Sequence, residues 1–244
     1  MIPEKKIAEF VSKAQAAAGQ NLQSVILFGS AASGEFLEDF SDINLLCVLR
    51  DTSFAGLTAL APLAAWWQKQ KYSPPLVLTQ DEIRHSVDVF TIELLDMQRH
   101  HRVLFGEDVF TGLEISTVNH RIQVEYELRE KVIVLREQLL LAAQDETRMW
   151  NLLLGSVAAF TTLFRHALHI LDGQDLLSRR AAVKGLSEKI SFDPSAILQL
   201  LDIRERKMER KQLSVRELFT RYLEAVQKVT DAVDTIFERG NRQS

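Results

Sequence analysis

Residues 25–49, VILFGSAASGEFLEDFSDINLLCVL, constrain this chain more than any other stretch. The apolar runs at 24–28 and 43–49 are too short for helices and read as buried strands. Between them lies a turn-rich, acidic loop. It opens with Gly29-Ser30 and carries Glu35, Glu38 and Asp39. Such composition breaks a strand and lets the chain return.

The flanking sequence supplies the other elements of an α/β unit. Ile7, Phe10, Val11 and Ala14 recur at helical spacing, and Gly19 suits a helix stop, so the pattern predicts a helix over 3–19. Helical periodicity returns over 54–71 through Leu57, Leu60, Leu63, Ala64 and Trp67, with Pro62 arguing against an unbroken helix. PPLVLT at 74–79 and VDVFTIELLDM at 87–97 read as strands, the second followed by a His/Arg-rich stretch and VLFGEDVF. After about residue 115, Pro and Gly become scarce and helical patterns dominate. Helices are expected near 118–144, 146–171, 175–190, 194–210 and 214–238, with Gly173 as a stop and Asp193-Pro194 as N-cap and first helical residue. The expectation is an α/β domain over 1–115 followed by an all-helical domain over 116–244.

Charge and cysteine content narrow the function. Residues 1–115 hold 9 Lys/Arg against 15 Asp/Glu, and the remainder 20 against 18. An acidic front half lacks the basic stripe of a general nucleic-acid binder and suits a site that holds a cation. The single cysteine, Cys47, lies in an apolar run and reads as a small core hydrophobe. The first ten residues, MIPEKKIAEF, lack the apolar core of a signal peptide, and no apolar stretch approaches a membrane span. A soluble, cytoplasmic protein is expected.

The loop and its flanks also carry chemistry. Gly29 allows a tight turn and a close ligand approach, and Ser30 offers a hydroxyl and a backbone N–H. A short helix starting after Ser30 would present unpaired N–H groups to an anion. Asp42 and Asn44 are two apart at the start of a strand, a spacing that puts side chains on one face. Oxygen donors there, facing a phosphate-binding turn, would hold Mg²⁺ between protein and triphosphate. In 87–97, Glu93 is an acid amid apolar residues, where an unpaired charge is costly; Asp88 and Asp96 lie nearer the ends of that run.

The FGS…SDIN stretch resembles the signature of the polymerase-β-like nucleotidyltransferase superfamily: a Gly-Ser turn, a loop, then Asp-x-Asp on the next strand. The resemblance covers roughly 22–110. In layout the chain is most similar to the aminoglycoside nucleotidyltransferases, which follow a small catalytic domain with a helical one. It implies a small mixed sheet, then a helical bundle, and transfer of a nucleoside monophosphate, AMP from ATP foremost, to a hydroxyl of a small-molecule or protein acceptor. It implies Mg²⁺ or Mn²⁺ at Asp42, Asn44 and Glu93, with Asp42 and Glu93 catalytic and Gly29 and Ser30 cradling the nucleotide in a cleft between the domains.

The sequence departs from that pattern at position 44. An amide oxygen can coordinate Mg²⁺ but is neutral, and losing one of three charges in a shielded site costs about a thousandfold in rate. Eleven residues separate Ser30 from Asp42, slightly more than is usual in the family. The alternative is a catalytically weak or inactive member that binds nucleotide or a protein partner. Outside the motif, Arg99, His100, His101 and Arg102 read as a solvated turn or a phosphate contact. His166 and His169 fit a surface or interhelix role, and 203–212 a solvated face of mixed charge.

Overall fold

The computed structural model describes residues 2–173 and 178–241. The chain folds as two compact units, Met1–Ser116 and Thr117–Ser244.

The first unit runs α1 (Glu4–Ala18), β1 (Leu22–Phe28), α2 (Ser30–Ser33), β2 (Asn44–Leu49), α3 (Phe54–Ala59), α4 (Ala61–Lys69), β3 (Leu76–Thr79), α5 (Gln80–His85), α6 (Thr91–Arg99) and β4 (His101–Gly106). The strands form one mixed sheet in the order β3-β2-β1-β4. β1 is antiparallel to both neighbours, while β2 and β3 are parallel. A parallel pair needs a long crossover, and α3 and α4 supply it.

Strand periodicity sorts the core into two layers. Val25 and Leu27 of β1 and Leu45, Cys47 and Leu49 of β2 pack with Ile7, Phe10 and Ala14 of α1 and Leu63 and Trp67 of α4. The alternate residues Ile26, Leu46 and Val48 pack with Ile83 of α5, Leu94 and Met97 of α6, and Val109 and Phe110. Burial on both faces explains why 24–28 and 43–49 are continuously apolar.

The sequence pattern misleads at 87–97. The expected strand is a turn through 87–90 and then α6. Short apolar runs fit either period, and Thr91, Leu94 and Leu95 fall at helical spacing and are buried. The fourth strand is the adjoining His101–Gly106, in the stretch expected to be a solvated turn. The predicted helix over 54–71 divides at Leu60, with Pro62 in the first turn of α4, where a missing N–H costs nothing.

The second unit is helical: α7 (Thr117–Ala142), α8 (Glu146–Asp172), α9 (Arg179–Ile190), α10 (Ser195–Arg204) and α11 (Val215–Asn241). α8 is its spine, burying Met149, Leu153, Val157, Phe160, Phe164 and Leu168 along one stripe. Asp145 caps it by accepting from Thr147 and Arg148 N–H groups, and Gly173 stops it in a left-handed conformation. α10 starts one residue later than expected, at Ser195 with Pro194 at its N-cap, and Asp193 accepts the Ser195 N–H at 2.9 Å. The expected helix over 194–210 is shorter: α10 ends at Arg204, and Arg206 is left-handed at φ 59°. Arg204 itself is buried and donates to the Leu154 carbonyl, so this stretch is not a wholly solvated face. The start of the helix expected over 175–190 falls partly outside the described residues. No described helix is long and apolar enough to cross a membrane.

Two outcomes are expected. Trp67 is fully buried, edge-on to Phe10 with ring centroids 5.0 Å apart, so Trp67→Ala should destabilise the first unit by about 3–5 kcal/mol in chemical denaturation. Burial pushes the Cys47 thiol up to about 12, well above its range in an unfolded chain. The folded state therefore holds this proton more tightly. Its stabilising contribution is complete below the unfolded thiol range and is lost as pH rises through that range to about 12. Cys47→Ala should flatten that alkaline loss in pH-dependent melting.

Candidate functional site

The candidate site starts where β1 ends. Phe28 pairs with Asn44, the first residue of β2, which sets the Gly29 turn beside the Asn44 side chain. Gly29 has φ 72°, and a Cβ there would lie 2.9 Å from Asn44 Nδ2. Glycine is thus required twice, for conformation and for space. Ser30 begins α2, a single turn in which Ala32 and Ser33 N–H groups donate to the Gly29 carbonyl. Gly34, left-handed at φ 79°, ends it. Asn44 shares strand parity with Leu46 and Val48 and so belongs to the sheet face covered by α5 and α6.

Asp42 does not follow the strand rule that was expected to align it with Asn44. It precedes β2, and its carboxylate is set by hydrogen bonds. The Ile43 N–H donates to Oδ1 at 2.8 Å and the Ser73 N–H to Oδ2 at 3.0 Å. Sequence reasoning missed Ser73, because a backbone donor leaves no side-chain signature. Tyr72 beside it was missed as well. Burial, then the charges of Asp42 and Glu38, raise the Tyr72 phenol above its ordinary range.

Glu93 departs furthest from expectation. It sits in the first turn of α6 and is exposed, not buried in a strand. Its neighbours Leu94 and Met97 pack α6 onto the face that carries Asn44. The structure thus brings Gly29, Ser30, Asp42 and Asn44 to one end of β1 and β2. Glu93 joins them only through the placement of its helix.

The metal donors can be weighed from this geometry. Among the described residues, no three His, Cys, Asp or Glu side chains group to hold a metal ion. One carboxylate and one amide oxygen do suit a single Mg²⁺, which is commonly held by one or two carboxylates plus substrate phosphates.

The basic and histidine clusters have structural work. Arg102 forms a two-pronged pair with Glu4, at 3.0 and 2.7 Å. His101 Nδ1 lies 2.8 Å from the Met97 carbonyl, and Nε2 lies 3.2 Å from Asp108 Oδ1. His166 is fully buried, its Nδ1 3.3 Å from His120 Nε2, joining α8 to α7.

Residues 4–96 match the family model described as nucleotidyltransferase domain. Among solved structures, spectinomycin adenyltransferase AAD(9) from Enterococcus faecialis, with ATP and spectinomycin, aligns with a TM-score of 0.56 at 14% identity, over 94% of this chain and 99% of that one. At that identity the likeness is one of fold. A toxin–antitoxin structure with AMP-PNP aligns over 52% of this chain and 94% of its own, at 17% identity and a TM-score of 0.31. No curated protein matches the chain. The first unit, with its mixed four-stranded sheet, thus carries a stretch, 4–96, that is similar to a nucleotidyltransferase domain.

Proposed function

We propose that the chain binds a nucleoside triphosphate, ATP foremost, with Mg²⁺ or Mn²⁺, and transfers the nucleoside monophosphate to a hydroxyl of a small-molecule or protein acceptor in the cytoplasm. The observation that carries this reading is the close packing of Gly29 against Asn44, with Asp42 two residues upstream. It sets the glycine turn beside the Asn44 side-chain amide at the end of β1, next to the start of β2. Gly29 and Ser30 hold the triphosphate, and Asp42 and Asn44 take the cation that the nucleotide carries. The acceptor oxygen bonds to the α-phosphorus, the bond to the leaving pyrophosphate breaks, and the hydroxyl proton passes to Glu93. An exposed carboxylate in the first turn of a helix is accessible for that transfer.

A second reading, nucleotide binding without transfer, is favoured by one feature. Asn44 is neutral where the family pattern has an acid, which weakens the pull on the cation and on developing charge.

Calorimetric titration with a non-hydrolysable ATP analogue, with and without Mg²⁺, tests the binding common to both. Micromolar, Mg²⁺-dependent binding is expected; absence of binding by any nucleotide refutes both. Asn44→Asp then separates them. Transfer should rise by about two to three orders of magnitude if the missing charge limits chemistry, whereas under the second reading only cation affinity rises. No change in either would remove Asn44 from the metal site. Gly29→Ala should keep the fold while costing about 1–3 kcal/mol of backbone strain, since φ 72° with ψ −151° is a conformation essentially confined to glycine. It should also displace Asn44, and weaker analogue binding at an unchanged far-ultraviolet spectrum checks it.

A further inference from the structure

Asp42 lies outside β2, where no strand ladder fixes a side chain, yet both of its oxygens are engaged. The Ile43 bond is local. The Ser73 bond joins residues 31 apart and ties the loop before β2 to the segment before β3. That segment is placed by a chain of contacts. α4 ends at Lys69, and Lys71 turns left-handed at φ 68°, its N–H donating to the Gln68 carbonyl at 2.8 Å. A non-glycine residue takes that conformation only where surrounding contacts hold it.

Here the contacts are at Tyr72. Its ring lies 4.5 Å from that of Trp67 at 31°, and Lys6 Nζ sits 5.7 Å from its centroid. Trp67 is fixed in turn against Phe10. The next N–H along the chain is the one that meets Asp42. Pro74 and Pro75 follow and stiffen the exit into β3.

We infer that the Tyr72–Ser73 segment is a positioning device for Asp42: Tyr72, anchored on Trp67, aims the Ser73 N–H so that the carboxylate presents its remaining lone pairs to the cation carried by the nucleotide. This rests on the proposed nucleotide site. The donor count allows it, since a carboxylate has about four acceptor positions and two are taken. The role is that of the outer partners that orient metal-binding carboxylates, whose removal typically weakens metal affinity about 10- to 100-fold.

Ser73 permits a clean test, because the interacting atom belongs to the backbone. Ser73→Pro deletes the N–H, and a residue before proline already favours the extended backbone that proline accepts. Ser73→Ala keeps the N–H. ATP-analogue binding is measured by calorimetry with Mg²⁺, with Mn²⁺ and with chelator. Ser73→Pro should lower cation-dependent affinity about 10- to 100-fold and leave cation-free affinity unchanged. Ser73→Ala should bind like wild type. Tyr72→Ala, which keeps the donor but loses its anchor, should lower the same cation-dependent affinity by less.

Equal loss with and without cation would mean general damage and overturn the inference, as would a folded Ser73→Pro protein that binds like wild type. Should Ser73→Pro fail to fold, Tyr72→Ala decides by the same comparison. Wild-type protein that binds no nucleotide overturns the proposed function and this inference together. Wild-type binding that neither variant alters overturns this inference alone.

Discussion

The pairing of β1 with β2 is the constraint on which the first unit depends. Its register, Leu27 opposite Leu45 and Phe28 opposite Asn44, fixes two things at once. It assigns alternate residues to the α1/α4 layer and to the α5/α6 layer, so a slip of one residue would turn each apolar set to the wrong side. It also sets where β1 ends relative to where β2 begins, and hence brings Gly29 against Asn44. The core and the Gly29–Asn44 part of the candidate site are therefore specified by the same hydrogen-bond ladder. A change that loosens this register acts on both.

Legibility in the sequence follows the range of the forces involved. β1 and β2 are readable because two-sided burial makes them continuously apolar. α8 is readable because its stripe repeats over many turns and Gly173 marks its end; sequence reasoning missed the Asp145 cap at its start. The stretch 87–106 misleads because two short apolar runs adjoin there and periodicity cannot rank them. The deciding factor is tertiary. The edge of β1 accepts a strand beginning at His101, and the layer above it accepts Leu94 and Met97 from a helix. Glu93 moves with that exchange, from an expected buried strand position to an exposed helical turn. Gly29, Ser30 and Asn44 can be found from residue type and spacing. Asp42 can be found, but its orientation cannot, since it depends on a backbone N–H 31 residues away.

The histidines illustrate the same limit. His166 and His169 are three apart on α8, and spacing alone suggests a shared face. The structure sets both rings against His120 from α7, with centroids 4.9 and 6.1 Å away and His166 fully buried. Which partner a helical side chain meets is decided by how the helices pack, and a single sequence does not carry that information. Arg102 is comparable. Its neighbours make it look like part of a basic cluster, whereas its two-pronged pair with Glu4 ties β4 to α1.

On the proposed reading, an amide at position 44 where the resembled pattern has an acid changes what the rest of the site must supply. On that reading, a single fixed carboxylate attracts a free divalent cation weakly, since each missing charge removes Coulomb attraction that water and salt screen further. A cation already bound to triphosphate arrives with most of its charge compensated and with several ligands in place. Such a complex asks the protein for orientation more than for charge. The features around Asp42 are of that kind: two backbone donors on one carboxylate, an aromatic anchor beside them, and a glycine that lets the phosphate turn close against Asn44. Rigid placement of few donors and loose placement of many charges are different solutions to holding a metal-nucleotide complex. On the proposed reading, the geometry at the end of β1 and β2 is the first of these.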